Sequence, residues 1–338
     1  MANFIDGLTS EQKEEFLPLL VKSGSVRKEE SLAAMAELAK ALTLPLREEV
    51  LSGDILDGIF ESMTLGPGAP AEYPLHFLAP GTAKDFVAYT IPNHGQIPQR
   101  RIDGDYVIVP TFDVANSIDW LLKYARDARW DIVGAALDTL RFGFTKKFND
   151  DGWHTLLAAA VDRNILVYDA DAAAGQFTKR LVSLSKTVMR RNGGGNSTSI
   201  NRGKLTDLFL SPESMEDIRN WGIDQVDELT RREIFTAADG TLNRLFGVNL
   251  HDLDELGEGQ EYQAFYTSQL SGTMPSGDVE IMVGLDLASN KSFVSPVRED
   301  IQVFEDDTLH RAKLAGVYAW SERGWAVLDS RRALILSA

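Results

Sequence analysis

A chain of 338 residues without cysteine, carrying a formal net charge of −16, excludes disulfide and thiolate chemistry and argues against nonspecific adhesion of its whole surface to nucleic acid. Its 44% apolar content is ordinary for a folded protein with a sizeable core, and the length allows two domains or one elaborate one. The opening MANFIDGLTSEQKEEF lacks a basic region followed by an apolar run, and no apolar stretch approaches the roughly 20 residues that cross a bilayer, so a soluble cytoplasmic protein with no membrane partner is expected.

In chain order, residues 9–62 read as two or three short amphipathic helices. Thr9 or Ser10 caps the first, with Glu14 or Glu15 in its opening turn. Ala33, Met35, Leu38, Leu42 and Leu44 mark a second, weaker face that Pro45 interrupts. LGPGAPAEYP at 65–74 then breaks regular structure. This combination predicts an extended N-terminal arm that docks on neighbours as readily as on its own core.

From Lys84 to Phe112 the runs DFVAYTI and DYVIVPTF are β-branched and aromatic, and between them lies PNHGQIPQRRIDG. They predict a long hairpin with a polar, basic tip. A free-standing two-stranded hairpin is marginal in water, so this one needs a surface to lie on. Ile118, Leu121, Ala125, Ala128, Ile132, Ala136 and Leu140 then step by three or four, and no proline occurs from Val114 to Phe148. The spacing predicts one helix of roughly 50 Å. Gly134 and Gly143 weaken or bend it, and Asp150-Asp151-Gly152 ends or offsets it before WHTLLAAAV.

In the second half, Phe177, Leu181, Leu184 and Val188 form one helical face, and Leu205–Leu210 reads as a strand. The connecting MRRNGGGNSTSINRGK resembles a phosphate cradle but fails the test. Gly203-Lys204 precedes Leu205 rather than Ser or Thr, Thr198 stands where the first glycine belongs, and the order is helix to strand. It reads as a flexible connector in which alanines at Gly193–Gly195 alter little. Ser211-Pro212-Glu213 starts a helix with Met215, Ile218 and Trp221 facing inward. DELTRREIFTA (227–237) is a short helix. GVNLHDLDEL, YQAFYTSQL, DVEIMVGLDL and SFVSPV read as strands. HRAKLAGVYAW, the turn 321–324 and WAVLDSRRALIL predict a C-terminal antiparallel pair.

Catalytic patterns are poor. His76, His94, His154, His251 and His310 form no H-E-x-x-H pair, and His251 sits in an acidic strand rather than beside a second histidine. DADAAAG (169–175) lacks the glycine and glutamate of a calcium loop. Ser197 misses the last glycine of a G-x-S-x-G elbow, and Ser183–Lys186 matches S-x-x-K without its companion motifs. No catalytic residue, cofactor or metal ligand is expected. The six tryptophans read as packing and interface anchors.

LFLSPESMEDIRNW (208–221), FGVNLHDLDELG (246–257) and the tail 293–336 resemble segments of tailed-phage major capsid proteins. The order of elements is similar to the Hong Kong 97-like capsid fold over roughly residues 80–336. The resemblance implies an α+β chain with an N-terminal helical arm (1–82), an extended loop hairpin (83–113) and a peripheral domain (114–221) holding a spine helix at 114–149. A mainly axial domain (222–292) and a return to the peripheral domain (293–338) follow. It implies a virion protein, assembled in the host cytoplasm, whose pentamers and hexamers close an icosahedral shell around double-stranded DNA without reading its sequence. Portal and separate scaffold or decoration proteins are implied partners. An encapsulin-like compartment around a protein cargo is the alternative. The interface candidates are Phe86, Ala88, Asn93, His94, Gln96, Arg100, Arg101, Val107 and Val109 on the hairpin, with Arg298 and Glu299 in the tail. Some members of the family join subunits through a lysine on the extended loop. Residues 92–104 hold no lysine, so noncovalent interfaces are expected.

Overall fold

The computed structural model describes residues 10–52, 55–56, 58–66, 68–75, 105–162, 165–173, 175–192, 203–221, 244–275, 279–288 and 292–338. The chain divides into two units. The first is Met1–Ala71, Ile108–Gly152 and Ser295–Trp325, and the second is Glu72–Val107, Trp153–Val294 and Ala326–Ala338. The stretches expected at 114–221 and 293–338 are therefore each shared between the units.

In the first unit, helices α1 (Ser10–Ser23) and α2 (Lys28–Ser52) pack on each other. The sequence predicts an interruption at Pro45, yet α2 continues through it. Leu38, Leu42, Leu46 and Val50, each 1% exposed, bury a stripe on both sides of the missing N–H, and that burial outweighs the lost hydrogen bond.

The sheet of this unit runs β1 (Glu61–Thr64), β10 (Phe293–Glu305), β11 (Leu314–Arg323), β4 (Phe112–Leu121). Strand β4 corrects the sequence reading, which placed the start of a helix at 114. Its residues Val114, Asn116, Ile118 and Trp120 alternate with the exposed Asp113, Ala115, Ser117 and Asp119. The period is two, and the strand pairs antiparallel with β11 from Leu314↔Leu121 to Arg323↔Phe112. The helical steps Ile118, Leu121 and Ala125 overlap that alternation by chance. After the short α3 (Leu122–Arg126), the long helix α4 runs over Trp130–Asp162, 33 residues and about 50 Å, and continues past the end expected at 149 straight through Asp150-Asp151-Gly152. Val133, Leu137, Leu140, Phe144 and Phe148 form its buried face. They join Phe16, Leu20, Trp120, Val303 and Val317 in one core. Gly143 lies against β4, where a Cβ would make the Asn116 amide turn aside.

The second unit holds a six-stranded mixed sheet in the order β5 (Leu166–Tyr168), β13 (Ala333–Ser337), β9 (Ile281–Leu285), β6 (Asp207–Leu210), β8 (Val248–Asp252), β7 (Arg244–Leu245). Strands β6, β9 and β13 are buried on both faces, which explains their continuous apolar runs. The helix-to-strand order around the glycine-rich stretch holds: α5 (Lys179–Asn192) precedes β6, and 193–202 lie outside the described residues. Ser211 caps α6 (Pro212–Asn220) by accepting from the Ser214 N–H, and Met215 and Ile218 are buried as the sequence predicts.

Two further readings are corrected here. YQAFYTSQL forms helix α7 (Glu261–Ser268), not a strand. Its aromatic residues suit a strand by propensity, but Tyr262 and Tyr266 sit four apart and both are buried, with Tyr262 stacked on Trp153 at 5.9 Å. The C-terminal pair also separates. Strand β11 pairs with β10 and β4, β12 (Ala326–Val327) pairs with Phe293 and Val294, and β13 enters the second sheet between β5 and β9. A 3-10 turn at Ser330–Arg332 redirects the chain, held by Asp329, which accepts from the Arg331 backbone and side chain. The stretch 227–237, expected as a helix, lies outside the described residues.

Candidate subunit interface

Of the hairpin candidates, Phe86, Ala88, Asn93, His94, Gln96, Arg100 and Arg101 lie outside the described residues. The second hairpin strand is β3 (Asp105–Ile108), and its described partner is β2 (Glu72–Leu75), within a stretch the sequence reads largely as a break. The two faces of DYVIV are unequal. Val107 is half-buried and Val109 buried, with the Val109 N–H donating to Ala71 O at 3.0 Å. Tyr106 and Ile108 point the other way and are 65% and 66% exposed; Phe112, at the start of β4, is 64% exposed.

This apolar row is what sequence reasoning missed. Both faces of the strand are apolar in the letters, so the alternation alone does not say which one the chain keeps for itself. The available hint was AEYP just upstream, whose Ala71 and Tyr73 are buried.

Arg298 and Glu299 sit on β10, where register shifts between Val297 and Gln302 mark a bulge. Arg298 Nε lies 3.5 Å from Glu322 Oε1, which also accepts from the Thr111 hydroxyl. Glu299 faces Glu322 across the pair, and its carbonyl accepts from the Ser321 hydroxyl at 2.9 Å. Arg298 and Glu322 thus form a partly exposed charge cluster next to Phe112. The neighbouring Arg323 is buried, its guanidinium 5.0 Å from the Phe148 ring and 5.3 Å from that of Trp325.

In the second unit, His251 is a partner in a strand pair. Its Nε2 lies 2.9 Å from Asp207 Oδ1, and its ring stacks on Phe209 at 4.7 Å. Burial pushes the Asp207 carboxyl up, but hydrogen bonds from His251, Thr206 and Asn249 outweigh it and hold the group below its usual value. At Asp252, burial and the nearby Asp254 charge push the carboxyl up. Among the described residues no cluster of three or more metal-ligating side chains occurs.

A second surface feature is a groove of about 1310 Å³ along α5, lined by Lys179, Arg180, Lys186, Arg190, Arg191 and Lys204.

The architecture is shared with solved phage structures. One is from Microbacterium phage Oxtober96, with a TM-score of 0.57 and 11% identity over 84% of this chain and 90% of that one. The capsid of Cyanophage P-SCSP1u gives 0.56 and 11% over 84% and 88%. The mature capsid of bacteriophage PhiM1 gives 0.53 and 9% over 84% and 86%. The chain has the Hong Kong 97-like capsid fold. No protein-family model and no curated protein sequence matches it. At 9–11% identity the likeness lies in the path of the backbone, not in the letters. On this Hong Kong 97-like frame, the exposed apolar residues Tyr106, Ile108 and Phe112 and the basic groove are two features of the described surface.

Proposed function

We propose that this chain is the major capsid protein of a tailed phage. Its copies form pentamers and hexamers, close an icosahedral shell around double-stranded DNA, and reside in the virion. The role is structural rather than catalytic. The second unit apart from Glu72–Val107 corresponds to the axial domain, the first to the peripheral domain with most of α4 as spine, and the strand pair β2–β3 is the base of the extended loop that lies on a neighbour. The carrying observation is the fold, shared over most of the chain with structures that include phage capsids.

The exposed row supports the reading. Burying Tyr106, Ile108 and Phe112 against a second copy releases about 1.5–3 kcal/mol per side chain. Residues 86–101 carry the remaining hairpin candidates, and Arg298 with Glu299 extends the charged rim. A portal and a separate scaffold or decoration protein would complete such a particle.

Electron microscopy of the purified chain, or of the virus that carries it, tests the proposal. Closed particles with five- and six-fold capsomers are expected. A chain that stays monomeric at every concentration and is absent from virions would exclude a shell role.

A further inference from the structure

The net charge of −16 makes the surface as a whole repel polyanions. One strip runs against that trend. Helix α5 carries Lys179, Arg180, Lys186, Arg190 and Arg191, and Lys204 closes the groove beside it. Among the described residues the lining holds these six cations and no carboxylate.

Helix stability does not account for the strip. Arg190 and Arg191 in the last turn complement the helix dipole, but Lys179 and Arg180 occupy the first turn, where cations oppose it. Arg180 is compensated locally by Asp169, at 3.2 Å, and by Asp171. Lys186 donates to Phe246 O at 2.6 Å. Arg190, Arg191 and Lys204 are exposed and have no acidic partner among the described residues.

We propose that this groove binds the phosphate backbone of the enclosed duplex DNA, an assignment that rests on the shell reading above. From Lys179 to Arg191 the helix rises about 18 Å, the axial rise of roughly five phosphates on one strand. The Ser183 hydroxyl lies between the cations and offers a neutral donor to phosphate oxygens, whereas that of Thr187 donates to Ser183 O at 3.0 Å. The other candidate occupant is an acidic face of a second copy. A protein interface of that kind is built on an apolar, aromatic centre with charge at its rim. Here charge fills the groove, and among the described residues Phe246 is its single aromatic lining residue. A continuous polyanion fits better. The acidic remainder of the surface then confines DNA to this strip, and contacts made only to phosphate do not read sequence.

The test is fluorescence anisotropy of a labelled mixed-sequence duplex, titrated with the full chain below its assembly concentration across a salt series. The variant is Arg190→Gln/Arg191→Gln/Lys204→Gln, three exposed positions. The expected result is weaker binding, equally for all sequences, with the log–log salt slope reduced by about three. Arg27→Gln/Arg126→Gln, exposed arginines paired with Glu30 and Asp127, should leave the slope unchanged. Circular dichroism checks folding, and Arg190→Gln/Arg191→Gln, with a reduction of about two, replaces the triple variant if that one unfolds. An unchanged slope, or no duplex binding by the parent chain at low salt, overturns the proposal. Lost particles with unchanged duplex binding also overturn it and assign the groove to a second copy. Particle formation by the parent chain is scored separately. If it fails while the slope shift appears, the groove stands and the shell reading falls.

Discussion

Asp329, Arg331, Arg332 and Asp286 form a buried charge network in the second unit. Arg331 Nε lies 2.6 Å from Asp329, Arg332 Nε lies 3.5 Å from the same carboxylate, and Arg332 also pairs with Asp286. Removing one member leaves the others uncompensated away from water. Asp329→Ala should therefore destabilise by about 3–5 kcal/mol, read from urea unfolding of the subunit. A cost under about 1 kcal/mol would mean that water reaches the arginines. Two carboxylates on the adjacent strands β6 and β8 respond to pH with opposite signs. The lowered Asp207 contributes stability that is full above its unfolded value and is lost as pH falls through its folded one. The raised Asp252 carries a cost that appears as pH rises through its folded value. Asp207→Asn should thus flatten the acid side of the stability profile, and Asp252→Asn should raise the melting temperature near neutrality. Equal shifts at all pH values in both variants would show that neither charge matters.

At the scale of elements, the exposed row on β3 and β4 has the clearest consequence. Tyr106→Ser/Ile108→Ser/Phe112→Ser removes apolar surface that the protomer does not bury. The subunit should keep its melting temperature within a few degrees, because exposed substitutions change stability by less than about 0.5 kcal/mol each. Particle yield by sedimentation should collapse. Wild-type yield from this variant would remove the row from any interface. The sequence shows these elements unevenly. The Ser211-Pro212-Glu213 start, the α5 face and the runs of β9 and β6 are legible because cap chemistry and periodicity agree there. Strand β4 is obscured because Ile118, Leu121 and Ala125 fit a helix as well as Val114, Ile118 and Trp120 fit a strand; the ladder to β11, 200 residues away, decides. Helix α7 is obscured by aromatic residues whose propensity points the other way. The side of β3 that stays exposed depends on what its own chain covers, as at Val109, whose N–H donates to Ala71 O. The cations of α5 are legible in the letters, but only the fold brings Lys204 and Phe246 beside them in one groove.

On the scale of the whole molecule, stability of the subunit and stability of the proposed shell are separate quantities. Each unit has its own buried core, from Phe16 to Ala319 in the first and from Val167 to Ala338 in the second. In the proposed shell, a segment laid on a neighbour contributes once per subunit around the entire shell, so a small loss per contact is multiplied by symmetry. Deleting 92–104 should therefore separate the two. The shortened chain should unfold at the same urea midpoint as the parent, because it keeps every described core residue. It should form no closed particles by electron microscopy at concentrations where the parent does. Mixed with excess parent chain, it should also lower the particle yield, since every copy that joins leaves one neighbour uncovered. Normal particles from the shortened chain alone would show that residues 92–104 are dispensable for closure, and would move the interface onto the Tyr106, Ile108 and Phe112 row and the N-terminal arm.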